Sequence, residues 1–128
     1  MNKDDLQERM TSFAVRIIKM VDAMPSTISG VAIGRQIVRS GTSPSANYRA
    51  ACIAKSDKDF INKLKMVEEE LDETSHWLTL IMRSVMMKAS RIQPLYQECC
   101  ELLSIIVKSI VTTKNRMKVE EIEKLNNR

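Results

Sequence analysis

Two adjacent stretches decide the fold of this chain: RSGTSPSANYR at residues 39–49 and SDKDFINKLKMVEEELDETSHW at residues 56–77. In the first stretch, Ser40, Pro44 and Asn47 follow one another at the spacing of a buried helical stripe. A buried polar group without a partner costs about 1–3 kcal/mol, so the side chains of Ser40 and Asn47 must find partners inside the protein. The second stretch is an acidic segment with a nearly unbroken apolar seam. Both patterns predict helices that pack against each other.

The same three-and-four spacing of apolar residues recurs in four segments of the chain. It predicts a first helix that ends at Pro25, a second that begins near Ser29, a third that the capping residue Ser56 opens, and a fourth with Pro94 in its first turn. The predicted seam of the third helix consists of Phe60, Leu64, Val67, Leu71, Thr74, Leu78 and Ile81.

The predicted fold class is all-α, an antiparallel up-down-up-down four-helix bundle. A chain of 128 residues suits one domain, which we expect to span residues 1–115. The polar tail at 116–128 either extends the fourth helix or frays. Pro44 removes the backbone bond to the carbonyl of Ser40 and predicts a kink in the second helix. Two shorter helices broken at 41–44 are the alternative, but the stripe keeps its phase across the break.

The charge distribution is uneven along the chain. The net charge is +4, yet residues 6–55 carry seven basic and two acidic side chains, whereas residues 56–88 carry five basic and seven acidic ones. A pI near 9.1 permits binding to nucleic acid or to an anionic membrane without requiring either. The asymmetry indicates either partner binding or two halves that complement each other.

Five arginines form the candidate nucleic-acid site, a basic edge of the first and second helices. Guanidinium groups suit carboxylates and phosphates equally well. The arginines of the second helix therefore either pair with Glu70 and Glu73, within or between subunits, or meet phosphates. The candidates are Arg9, Arg16, Arg35, Arg39 and Arg49.

The third helix has a second face beside its seam, formed by Met66, Glu70, Glu73, Trp77 and Leu80. An aromatic anchor surrounded by charge is typical of interface cores, so this face predicts an oligomer interface. Deeper seating of the helix between two neighbours is the alternative. Asn47 is the predicted structural polar residue, since an amide on a seam fixes helix register.

No catalytic constellation emerges from the sequence. Cys52, Cys99 and Cys100 lack metal-site spacing and are interpreted as apolar fillers of a reduced cytoplasmic protein. The pattern Glu73-x-x-His76 resembles half of a di-iron motif, but the chain contains one histidine in total. Charged residues interrupt the amino terminus, so no signal peptide or membrane span is expected. We expect no catalytic residue, no cofactor, no metal and no enzymatic activity.

The stretch 39–78 also carries a family resemblance. The residues concerned are Arg39–Ser43, Ala46–Arg49, Asp59–Phe60 with Lys63–Leu64, Glu68–Glu70 with Asp72–Glu73, and Trp77–Leu78. They resemble the four-helix-bundle proteins named after the 23S ribosomal RNA intervening sequence, small bacterial proteins with genes inside segments inserted into 23S rRNA genes. Ala50 departs from the pattern, because family members often have a glutamate there.

The resemblance implies an up-and-down four-helix bundle assembled as a ring-shaped homopentamer. It also implies likeness to accessory proteins of diversity-generating retroelements, which bind nucleic acid and a reverse transcriptase. It supplies no catalytic residues. The resulting hypothesis is a non-enzymatic homo-oligomer that binds structured RNA or other nucleic acid through its basic edge. A protein–protein interaction scaffold without direct nucleic-acid binding is the alternative.

Overall fold

The computed structural model describes residues 1–127, which form four α-helices and, within that range, no strand. The helices are α1 (Lys3–Asp22), α2 (Ile28–Cys52), α3 (Asp57–Arg83) and α4 (Ala89–Asn126). The all-α prediction is confirmed. Arg128, the last residue of the predicted tail, lies outside the described residues.

Side-chain caps fix the start of the first three helices. Asn2 Oδ1 accepts from the backbone N–H of Asp5 at 2.8 Å, and the Asp5 carboxylate accepts from the Asn2 N–H at 3.3 Å, so α1 opens with a capping box. Thr27 and Ser56 cap α2 and α3, each accepting from the backbone N–H three residues on, at 3.0 and 3.1 Å. The sequence correctly predicted Ser56 as the start of the third helix.

The fourth helix begins one turn earlier than expected. Its first residue is Ala89, so Pro94 lies in the second turn instead of the first. Proline there removes a single backbone bond, to the carbonyl four residues earlier, and Pro94 itself is exposed. Lys88 at the N-cap position makes no side-chain cap.

The second helix is continuous through Pro44, so the alternative of two shorter helices is wrong. Two hydroxyl groups near the proline bond to carbonyl oxygens of preceding residues: Thr42 Oγ1 donates to the Val38 carbonyl at 2.6 Å, and Ser45 Oγ donates to the Thr42 carbonyl at 2.8 Å. Gly41 lies against α1, where an added Cβ would stand 2.8 Å from Ile17 Cγ2. The missing side chain is therefore what allows the two helices to approach here.

The core is aliphatic and lies along the seams α1–α2, α2–α3 and α3–α4, whereas α1 and α4 meet along a sparser seam. In α3 the predicted seam is fully buried from Leu64 to Ile81, but Ile61 replaces the half-buried Phe60 as its first buried residue. The largest fully buried side chains are Met10, Phe13, Ile17, Ile37, Leu64, Leu71, Leu78, Ile81, Ile92, Leu102 and Ile106.

Two polar side chains are fully buried between α2 and α3. Thr74 Oγ1 donates to Ser40 Oγ at 2.9 Å and lies 2.7 Å from the carbonyl oxygen of Glu70. Each of the two buried hydroxyl groups thus has a hydrogen-bond partner inside the core, as the buried position of Ser40 required.

The last part of α4 extends beyond the other helices. Arg116 forms two hydrogen bonds to the Asp57 carboxylate, at 2.7 and 3.1 Å, and lowers the pKa of Asp57. Met117 packs partly against the core, and every residue from 118 to 127 is exposed. The exposed segment includes three large apolar side chains, Val119, Ile122 and Leu125.

Candidate nucleic-acid interface

Arg9, the first of the candidate arginines, is held by α4. Its Nε donates to Glu98 Oε2 at 3.1 Å, its Nη2 pairs with the other oxygen of the same carboxylate, and Glu101 lies 3.6 Å away. The hydrogen bond to Glu98 raises the pKa of Arg9, in spite of some desolvation. A guanidinium that two carboxylates engage is occupied in joining α1 to α4.

Arg39 is likewise held within the chain. Its Nη1 donates to Glu70 Oε2 at 2.9 Å, and its Nη2 pairs with Glu73. The indole Nε1 of Trp77 donates to the same Glu73 oxygen at 3.0 Å. The pairing of this arginine with the acidic face of α3 is therefore intramolecular.

The predicted oligomer face of α3 is partly engaged by that network. Glu70, Glu73 and Trp77 belong to the Arg39 contacts, and Trp77 is half-buried. Leu80 is also half-buried, whereas Met66 keeps 45% of its surface exposed. Because α3 is one continuous helix, the five residues follow one another along one line of it, with Met66 as the most exposed member.

Arg16 lies in a different environment, a cleft of about 370 Å³ between α1 and the start of α4. We call it the α1–α4 cleft. Two further cationic side chains share it, Lys19 from α1 and Arg91 from α4, and no carboxylate is among its described lining residues. The apolar part of the lining consists of Met20, Met87, Pro94 and Leu95.

Arg35 and Arg49 are exposed on α2. Arg35 lines a second cavity, of about 350 Å³, where α1 turns into α2, and Asp22 shares that cavity. Arg9 and Arg16 thus face α4, whereas Arg39 faces α3. The five arginines do not form one continuous edge.

A further basic cavity lies between α3 and α4, and sequence reasoning did not single it out. It measures about 360 Å³, and its charged lining consists of Lys58, Lys65, Lys114, Lys118 and Glu121. The lysines come from two helices that are distant in sequence, so no local spacing of residues indicates the cluster.

Asn47 is half-buried, and the neighbouring Tyr48 occupies the buried position of α2 instead.

Reactive groups are few. Across residues 1–127, no three side chains of His, Cys, Asp or Glu are grouped as metal ligands. The ring of His76 lies 5.3 Å from that of Trp77, at 56° to it. Cys99 is buried and donates through Sγ to the Leu71 carbonyl at 3.2 Å, and burial raises its pKa to about 12. A thiol of that kind is protonated and acts as a core residue.

None of the helices within residues 1–127 combines the length and the apolar character that a membrane crossing requires.

Four helices around an aliphatic core, joined by ion pairs between neighbouring helices, define a small helical-bundle protein. The chain belongs to the 23S rRNA-intervening sequence protein family, since the family profile matches residues 3–108. The resemblance noted in the stretch 39–78 is thereby confirmed. The family description names no enzymatic activity.

A solved structure agrees with this assignment. A protein of unknown function from the S23 ribosomal protein family of Bacteroides thetaiotaomicron VPI-5482 superposes with a TM-score of 0.77 at 31% identity. The match covers 82% of this chain and 97% of that one. A search of curated proteins finds no significant match.

Proposed function

We propose that this protein is a non-enzymatic, cytoplasmic, homo-oligomeric bundle that binds structured RNA or other nucleic acid through exposed arginines. The observation that supports this most directly is the state of three of them. Arg16, Arg35 and Arg49 are exposed and make no ion pair with any residue between 1 and 127. Arginines without carboxylate partners are available to phosphates, and the net charge of +4 favours polyanions. The three thiols, none of them in a disulfide, fit a reducing compartment.

We infer the up-down-up-down order of the helices from contacts between neighbours. Gln7 Nε2 donates to the Ser45 carbonyl at 3.1 Å, whereas Ile17, later in α1, touches Gly41, earlier in α2. The later contact in α1 is made with the earlier residue of α2, which supports an antiparallel pair. Pro44 inside α2 supports a bend at that point.

We propose a homopentamer as the assembly, which the family resemblance implies. The exposed Met66 and the half-buried Leu80, about four turns further along α3, offer apolar area for such a contact. Native mass spectrometry tests it: the expected mass is five times the 14.6 kDa of one chain. A monomer at micromolar concentration would contradict the ring.

RNA titration at several salt concentrations tests nucleic-acid binding. Phosphate contacts release counterions, so the logarithm of affinity should fall linearly with the logarithm of salt, by about 0.7–0.9 per contact. Arg35→Ala and Arg49→Ala should each weaken binding and make this slope shallower by about one contact. Affinity for a structured RNA that stays flat between low and high salt would overturn the proposal.

A protein-interaction scaffold is the second candidate, and the end of α4 favours it. Val119, Ile122 and Leu125 are exposed and lie beyond the residues that the family profile matches. A pull-down from nuclease-treated lysate separates the two functions. A partner that is retained without nucleic acid, and lost with Ile122→Asp, supports the scaffold.

A further inference from the structure

The seam between α1 and α4 changes its charge pattern within two helical turns. Arg9 pairs with Glu98 across this seam. Seven residues further along α1 lies Arg16, and seven residues earlier in α4 lies Arg91. Seven residues make about two turns, so both arginines return to the seam. The position that holds an opposite-charge pair is thus followed by two cations.

The lining of the α1–α4 cleft supports this register. Met20 comes one helical turn after Arg16 on α1, whereas Met87 lies in the segment before α4; these two side chains line the same cleft as Arg16 and Arg91. Lys19 adds a third cation. Helical spacing therefore brings the cations together, and the sequence offers no carboxylate at the facing positions.

Such an arrangement leaves the positive charges of Arg16, Lys19 and Arg91 without a carboxylate in the described lining of the cleft. Like charges on facing helices repel each other, and salt screens this only in part. Met20, Met87 and Leu95 are 5–7% exposed and form an apolar floor. A cleft with one sign of charge and low-dielectric walls concentrates the field and attracts counterions. A bound anion would convert the repulsion into two charge-assisted contacts.

The start of α4 adds to the positive field. Lys88, at its N-cap position, makes no side-chain cap. The N–H of Arg91 donates to the Lys88 carbonyl at 3.0 Å, and the other first-turn N–H groups add positive partial charge at this end of the helix. Arg91 and Pro94, in the first two turns of α4, line the cleft.

We propose that the α1–α4 cleft holds a phosphate group, gripped by Arg16 and Arg91 from opposite walls with Lys19 beside them. One carboxylate would neutralise only one of the three positive charges. A nucleic-acid backbone carries a negative charge on every nucleotide and can neutralise all three. The inference deepens the proposed function and rests on it for the source of the phosphate, the backbone of a bound RNA. Free phosphate esters share this chemistry and are distinguished by experiment.

The experiment compares two double variants that remove the same charge from different seams. Arg16→Ala with Arg91→Ala empties the α1–α4 cleft, and Lys58→Ala with Lys114→Ala is the matched control in the α3–α4 cavity. A fluorescent RNA hairpin is titrated at 0.1 M salt. The relation between affinity and salt gives roughly tenfold loss per phosphate contact, so the first variant should bind at least tenfold more weakly. The affinity of the control variant should stay within about threefold of the wild type, a loss that the lower net charge alone explains. Equal losses of affinity in both variants would overturn the proposal of a phosphate site in the cleft.

Thermal unfolding with inorganic pyrophosphate separates this inference from the proposed function. Pyrophosphate should raise the Tm of the wild type and leave that of the Arg16/Arg91 variant unchanged. If that holds while the wild type binds no RNA, the cleft stands as a site for free phosphate esters and the proposed function fails. RNA binding that the Arg16/Arg91 substitutions do not weaken overturns the cleft alone. Displacement of pyrophosphate by poly-glutamate at equal charge concentration would also overturn it, because the cleft would then prefer carboxylates.

Discussion

Arg16 of α1 and Arg91 of α4 line the same cleft, two helical turns from the ion pair that joins Arg9 to Glu98. One seam therefore contains both uses of arginine. Near Glu98, the guanidinium of Arg9 is held by carboxylates and connects two helices. Two turns away, the guanidinium groups of Arg16 and Arg91 line a cleft that has no acidic residue in its described lining. This contrast separates the structural arginines, Arg9 and Arg39, from the available ones.

Gly41 permits the close approach of α1 and α2, so Gly41→Ala should destabilise the protein. The new methyl group would stand 2.8–3.3 Å from the Cγ2, Cγ1 and Cβ atoms of Ile17, which cannot all move away. Overpacking of this kind costs about 1–3 kcal/mol, more than the roughly 1 kcal/mol that alanine gains over glycine in a helix. Urea unfolding measures the change.

Gly34→Ala is the matched control for that prediction. Its nearest neighbour, Val21 Cγ1, would lie 3.5 Å from the added Cβ, an ordinary contact. The substitution should therefore be neutral or stabilising by up to about 1 kcal/mol. A Gly41→Ala protein as stable as Gly34→Ala would contradict the close approach.

The buried hydroxyl pair should behave as a unit. Ser40→Ala removes the acceptor of Thr74 and should cost about 0.5–1.5 kcal/mol in unfolding free energy. Thr74→Val should cost a similar amount, and the double variant less than the two together, because the second change leaves no further hydroxyl unpaired. A double-mutant cycle with purely additive costs would show that the two side chains do not interact.

Arg39 should matter for the fold and not for RNA. Arg39→Ala frees Glu70 and Glu73, but the guanidinium is half-exposed, so the cost should stay below about 1 kcal/mol. RNA affinity should stay within twofold of the wild type, whereas the comparison variant Arg49→Ala should bind more weakly. Equal losses of affinity in the two variants would mean that Arg39 leaves its carboxylates to meet phosphate.

Cys99 should resist modification in the folded protein. Its thiol is buried, hydrogen-bonded to the Leu71 carbonyl, and has a pKa raised to about 12, while Cys52 and Cys100 are only partly buried. A thiol-specific disulfide reagent should label two cysteines quickly and the third only as the protein unfolds. Three equal rates under native conditions would contradict the buried position.

The raised pKa of Cys99 also sets a pH dependence. The folded state favours the neutral thiol. The contribution of Cys99 to the free energy of unfolding is therefore fully present below the unfolded pKa of about 8.5 and is lost as the pH rises toward about 12. Urea unfolding at pH 7 and pH 10 should therefore show a larger decrease for the wild type than for Cys99→Ala.

Local sequence was sufficient for much of the fold. Apolar spacing located all four helices, and the seam from Leu64 to Ile81 is buried as predicted. The start of α4 was misplaced because proline only prefers the first turn and tolerates the second when exposed. Phe60 and Ile61 exchanged roles because they lie four and three residues before Leu64, on opposite sides of the seam, so a modest rotation of the helix decides which one is buried.

The candidate site depended more on tertiary structure. The pairing of Arg39 with Glu70 and Glu73 was one of two alternatives, since the charge match was visible in adjacent segments. The contact of Arg9 with Glu98 and the cleft of Arg16 with Arg91 were not foreseen. Both join the first helix to the fourth, and only the relative register of those helices reveals which charges meet.

The affinity of Arg91→Glu for an RNA hairpin tests the central claim most directly. The substitution places a carboxylate opposite Arg16, so it should repel phosphate while forming an ion pair that leaves the Tm at or above that of the wild type. The account predicts an intact fold with RNA binding weakened well beyond tenfold at 0.1 M salt, since one contact is lost and a repulsive charge is gained. An Arg91→Glu protein that binds the hairpin as tightly as the wild type would contradict it.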